Sequence, residues 1–206
     1  MSAGERHSVD QLTHLDPGYR RALVVSAALN AAMFFVEGGV GLWIGSSALL
    51  ADAVDFLEDA GIYSLAVIAL AWLPRSRAQA GMVMSIGMLA VGMVAVWQIV
   101  DRMLHGGAPS PVPMGATAFV ALAVNVFCAW RLSQWKRGDA SMRSVWLSTR
   151  NDAILNMVTI AAAGTVALTT TAWPDVAAGV VIAALNLWAS IEIMRQSRKE
   201  LRQAAT

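Results

Sequence analysis

Residues 49–61 read LLADAVDFLEDAG. Four carboxyl side chains, Asp52, Asp55, Glu58 and Asp59, interrupt an apolar run. At about 100° per residue they fall within roughly 120° of one helix face. Asp55 and Asp59, four apart, stack one turn above the other, a spacing that lets two carboxylates close on one cation. A like-charged face of this kind costs several kcal/mol in lipid, so it is expected to point into a bundle and to act there. Asp52 sits near the predicted end of its helix, where simple solvation competes with function as the reason for its presence.

The rest of the chain supplies the lipid context. Of 206 residues 57% are hydrophobic and 14% charged, where soluble domains run at roughly 45–50% and about 25%. A hydrocarbon core of about 30 Å takes roughly 20 apolar residues in a helix, which satisfies its own backbone groups. The uncharged stretches between breakers predict an all-α integral membrane protein with six transmembrane helices near 21–45, 48–73, 79–104, 113–133, 143–170 and 174–195. Residues 1–20 are expected to form a short cytoplasmic tail, with no apolar run that would make a cleaved signal peptide. Residues 21–195 form the membrane domain and 196–206 a second short tail. Both termini are assigned to the cytoplasm because 13 of the 15 Lys and Arg residues gather on one side: Arg6, Arg20, Arg21, Arg75, Arg77, Arg131, Lys136, Arg137, Arg143, Arg195, Arg198, Lys199 and Arg202. The compact chain suggests a bacterial inner membrane. A net charge of +1 without basic clusters among aromatics gives no sign of nucleic-acid binding.

The fifth predicted span adds a second acidic point in SVWLSTRNDAILN, residues 144–156. Asp152 shares a face with Ser148 and Asn156, one turn to either side, while Arg150 points nearly the opposite way. In the first span Asn30 and Glu37 are seven apart on one face, and Glu37 reads equally as a proton carrier or a packed hydrogen-bonding group. Gln98, Asn125 and Asn186 read as interhelical hydrogen-bond donors and acceptors. Asp175 follows Pro174 at a helix start, where it complements the helix dipole without needing a function. Because Cys128 is the single cysteine, a multi-thiolate site is excluded. Oxygen ligands from Asp55, Asp59, Asp152 and Ser148 or Asn151 suit manganese, magnesium or ferrous iron at least as well as zinc. Such a cage must lose protons to bind, so metal and proton compete for the same oxygens.

These residues resemble the cation diffusion facilitator family of metal/proton antiporters. The likeness rests on NAAMFFVEGGVG (30–41), SSALLADAVDFLED (46–59), NDAILN (151–156) and the ending from Trp173 to Leu201. It implies a secondary transporter exporting a divalent transition-metal cation, zinc-like, with cadmium, cobalt, iron and manganese as further candidates. No permanently bound cofactor is implied; the metal ion and protons are substrates. The family motif maps ligands onto Asp55 and Asp59, and onto Ser148 and Asp152. Ser148 departs from the usual His or Asp, so Asn151, Asn156, Glu58 or water would complete the shell, with Asn30, Glu37 and Asp52 as accessory or proton-coupling groups. The chain is expected to be a short form without the cytoplasmic domain of many members, and a homodimer would rest on membrane helices. His7 and His14 are expected to be inert. A non-transporting metal sensor or regulatory partner is the alternative function. An intramembrane aspartyl enzyme using Asp59 and Asp152 is disfavoured, because the stacked Asp55–Asp59 pair is unnecessary for that chemistry.

Overall fold

The computed structural model describes residues 16–68, 74–135 and 140–203. The expectations for His7 and His14, for Lys136 and Arg137, and for residues 1–15 and 204–206 lie outside the described residues. Six helices make up the described chain: α1 Pro17–Ile44, α2 Ser47–Ile68, α3 Pro74–His105, α4 Pro111–Leu132, α5 Ala140–Thr169 and α6 Trp173–Gln203. A 3₁₀ turn, Ser133–Trp135, follows α4.

Five stretches are long and apolar enough to cross a membrane: Pro17–Ile44, Ala78–His105, Pro111–Trp135, Val145–Thr169 and Trp173–Lys199. They belong to α1, α3, α4, α5 and α6. Helix α2 has 22 residues, enough for a span by length, but it carries the four acidic residues. It packs against α1, α3, α5 and α6, so protein rather than lipid surrounds its acidic face. This is where an expensive face belongs.

Several helix ends differ from the sequence expectation, for identifiable reasons. Helix α1 begins at Pro17 because Asp16 caps it, its carboxylate accepting from the Gly18 amide at 2.8 Å and from the Trp135 indole at 2.8 Å. Those two donors hold the Asp16 carboxyl below its ordinary range. Proline at the first helical position loses no hydrogen bond, so Pro74 opens α3 instead of only ending the span before it. Helix α6 continues past the predicted end near 195 to Gln203. Arg202 in its last turn complements the dipole there, and a helix can leave the membrane without stopping.

The end of the bundle opposite Pro17 and Gln203 is held by polar side chains. Gly45 ends α1 in the left-handed region at φ 66°, with the Arg102 guanidinium filling the space a side chain would need. Arg102 donates to the carbonyls of Ile44 (3.1 Å) and Gly107 (2.7 Å), and Gln98 donates to that of Gly45 (3.1 Å). The carbonyls orphaned at the C-terminus of α1 thereby find donors. Asp175 joins α6 to α2. Fully buried, it accepts from the Ser46 hydroxyl at 2.6 Å, the Ser47 amide at 2.7 Å and the Ala48 amide at 3.1 Å. The Ser46 hydroxyl in turn accepts from the Leu49 amide at 3.2 Å. Asp175 thus caps α2 across the bundle, and does not serve only its own helix as the sequence suggested.

One turn further along α6, Gly179 lies against Ser47. A Cβ there would stand 2.9 Å from the Ser47 carbonyl carbon and Cβ. Small residues let membrane helices approach this closely. Gly179→Ala is expected to destabilise the protein by about 1–3 kcal/mol, the usual overpacking cost, seen as a lower melting temperature in detergent.

Candidate functional site

The acidic face of α2 meets α1 at one level and α5 at another. Toward the α2 start, Asp52 is fully buried beside Glu37 of α1, which is also fully buried. Among the described residues no donor reaches either Glu37 oxygen or Asp52 Oδ2. Two adjacent carboxyl groups in this setting can share a proton. Asn156 of α5, fully buried, donates to Asp52 Oδ1 at 3.5 Å and to the Asp152 carbonyl at 2.9 Å. Its own Oδ1 is buried without a partner.

Two turns along α2, Asp59 is 4% exposed and in electrostatic contact with Asp152 of α5. Asp55 sits between the two levels, in electrostatic contact with Asp52, Glu58 and Asp59. Asp55 and Asp152 are half-buried, each with one sequestered oxygen that has no partner. Glu58 is half-buried at the edge of the group. The result is a string of carboxyls, Glu37, Asp52, Asp55, Asp59 and Asp152, running through the bundle.

Among the described residues no basic side chain pairs with them. Among the described residues the ion pairs are His105–Asp101 (2.9 Å) and Arg195–Glu192 (3.8 Å), both exposed and neither at the string. Two unit charges 4 Å apart repel by roughly 1 kcal/mol in water and about 4 kcal/mol near a protein surface. The string is therefore a place for bound protons or for a cation. Among the described residues no three of its members draw together into a closed ligand set; binding an ion would pull neighbouring carboxylates inward.

The remaining sequence candidates fall elsewhere. Ser148 is exposed, and the buried stripe of α5 runs through Thr149, Ala153, Asn156 and Thr159. Asp152 borders that stripe, so its i−4 neighbour lies off it. Asn151 is exposed and accepts from Arg150 at 3.2 Å, while the Arg150 guanidinium lies 5.5 Å from the centroid of the Trp146 ring. Asn30 is fully buried but is tied to the Ser26 carbonyl (2.8 Å) and to Cys128 Sγ of α4 (3.9 Å).

Two residues missed in the sequence join the site. Tyr63, fully buried, donates its hydroxyl to Asp59 Oδ2 at 2.6 Å, and the same hydroxyl is hydrogen-bonded to Thr149 Oγ1. Their spacing was the available signal: Tyr63 is one turn past Asp59, and Thr149 is one turn before Asp152.

Residues 23–202 match the family model described as the cation efflux transmembrane domain. The chain is 25% identical to a zinc transporter ZitB of Yersinia pestis over 96% of its length and 67% of the relative's. It is 21% identical to a cadmium, cobalt and zinc/H(+)-K(+) antiporter of Bacillus velezensis over 89% of its length and 63% of the relative's. The Escherichia coli zinc transporter ZitB is 25% identical over 90% of the chain and 63% of the relative. The chain thus spans about two thirds of the length of these relatives.

Proposed function

Because this chain belongs to the cation efflux, or cation diffusion facilitator, family, we propose that it exports a divalent transition-metal cation from the cytoplasm in exchange for protons. The observation that carries this reading is the buried carboxyl string with no basic partner among the described residues. Asp55, Asp59 and Asp152 are the ligands in this proposal. Asn156 Oδ1, buried and unpartnered, or a water would complete the shell, since Ser148 would have to turn inward to do so. Glu37 and Asp52 form the proton-carrying end of the string.

The exchange follows from the ligand chemistry. An ion binds only to carboxylates that have lost their protons, and protons returning to them release the ion. A site that opens alternately to the two faces would then let an inward proton gradient drive the metal out. The relatives' names point to zinc, cadmium or cobalt; an all-oxygen set would also take manganese or ferrous iron. In this reading the chain sits in a bacterial inner membrane with both termini cytoplasmic, and two copies would pair through membrane helices.

Metal titration in weak buffer tests the exchange. Adding zinc or cadmium to the solubilised protein is expected to release protons into solution, with apparent affinity rising as pH rises. Asp152→Asn is expected to remove most of that release. Binding with no proton release in the wild type would overturn the exchange. Tight binding without flux in vesicles would favour the sensor reading, which the exposed Ser148 makes the relevant competitor.

A further inference from the structure

The helices bearing Asp59 and Asp152 are joined by one hydroxyl chain. Thr149 Oγ1 is hydrogen-bonded to the Tyr63 hydroxyl, and that hydroxyl donates to Asp59 Oδ2 at 2.6 Å. Tyr63 and Thr149 are both fully buried. The Thr149 hydroxyl also donates to the Val145 carbonyl of its own helix at 3.0 Å, so its one proton is divided between that carbonyl and the Tyr63 oxygen. The chain links Val145 and Thr149 of α5 through Tyr63 of α2 to the carboxylate. It fixes Asp59 Oδ2 and leaves Asp59 Oδ1 without a hydrogen-bond donor from the helix that carries Tyr63.

The ring of Tyr63 is also held in place. It packs in an apolar cluster with Tyr19, Ala22, Leu23, Leu132 and Val145 from α1, α4 and α5. The hydroxyl is thus delivered from a ring clamped by three other helices. Within the carboxyl string, Asp55 and Asp152 each keep an oxygen with no donor, whereas Asp59 is held by a neutral side chain that cannot compete for it as a counter-charge. Partners of this kind, which touch a ligand and not the ion, set ligand orientation, and losing one typically costs about 10–100-fold in metal affinity.

We propose that Tyr63, set by Thr149, is a positioning residue for the metal site: it orients Asp59 toward Asp152 and fixes the spacing of α2 and α5 one turn away from the ligands. The inference rests on the transport reading above, because it assigns Tyr63 a role at the ion site proposed there. The hydroxyl stays on Asp59 Oδ2 when the ion is bound, and the ion takes the other oxygen. Phe at position 63 keeps the ring and its packing but leaves Asp59 unoriented.

The test uses the full chain in detergent with zinc as the probe, by competition against a chromophoric chelator. Tyr63→Phe is expected to weaken zinc binding about 10–100-fold, and Thr149→Val to weaken it less, in the same direction. The chain has two tyrosines, Tyr19 and Tyr63, so ¹³C-labelled tyrosine gives two phenol resonances, assigned with Tyr19→Phe. The Tyr63 Cζ resonance is expected to move with zinc occupancy in the wild type and to stay still in Asp59→Asn. A purely structural tyrosine would lower the melting temperature without that titration. Wild-type affinity in Tyr63→Phe, tighter binding in it, or a Tyr63 resonance indifferent to zinc would each overturn the role. No zinc binding by the wild type would overturn the metal reading itself, and this role with it.

Discussion

Asp55→Asn is expected to abolish metal flux while making the metal-free protein more stable. The two effects share a cause. Asp55 lies between Asp52 and Asp59 with Glu58 beside it, its Oδ2 is sequestered without a partner, and no basic residue among the described ones pairs with it. Removing its charge removes repulsion worth at least about 1 kcal/mol whenever the neighbours are ionised, taking the weak, water-like limit for close charges. Repulsion needs ionised carboxylates, so the gain should grow as pH rises and shrink as pH falls. The same charge is what a dication needs. Loss of a ligand should cost more than the roughly 10–100-fold of an outer partner, leaving flux at background. Melting curves across pH, set beside vesicle flux, check both halves. A variant that loses flux because it unfolds would contradict the explanation.

Asp175→Ala is expected to have the largest effect on stability. Asp175 accepts from the Ser46 hydroxyl and from the Ser47 and Ala48 amides, all buried. Alanine leaves both amides at the start of α2 without acceptors, in a bundle end closed to water by α6. Each buried orphan costs about 1–3 kcal/mol, so a loss of about 3 kcal/mol is expected. At about 2–4 °C per kcal/mol for a chain of this size, the melting temperature should fall by roughly 10 °C. Asp175→Asn keeps one acceptor oxygen and should lose less. Metal affinity measured below the melting transition should change little, because Asp175 stands well away from Asp59 and Asp152 along α2. A large affinity loss in Asp175→Asn with an unchanged melting temperature would place Asp175 at the ion site instead.

The acidic face of α2 and the helical membrane fold were legible because lipid makes both expensive to get wrong. Hydrocarbon leaves backbone groups only helical partners, and four carboxyls on one face can only turn inward. Helix ends were less legible. Pro74 reads locally as a breaker, and only the chain around it decides whether it ends one helix or opens the next. The exposure of Ser148 turns on helix rotation. Ser148 and Thr149 differ by about 100° around the helix, and the spacing to Asp152 does not say which edge of the buried stripe Asp152 occupies. Asp175 was read within its own helix, as a carboxylate complementing a dipole, while its partners sit some 128 residues away in sequence. Tyr63 carries no charge or motif that marks it in the sequence. Its role depends on Thr149, whose position beside it is set by packing and by no local pattern. Asn156 was picked out by its spacing from Asp152, and the structure adds that it links the Asp52 level to the Asp152 backbone.

The most direct measurement of the central claim is metal uptake into proteoliposomes under an imposed pH gradient, across zinc, cadmium, cobalt, manganese, ferrous iron and nickel. Wild type, Asp59→Asn and Asp152→Asn would be compared. Uptake of at least one ion that follows the size and direction of the gradient, and that falls to background in both variants, is the expected result. Uptake that ignores the gradient, or that survives in either variant, would contradict metal/proton exchange at the Asp59–Asp152 site.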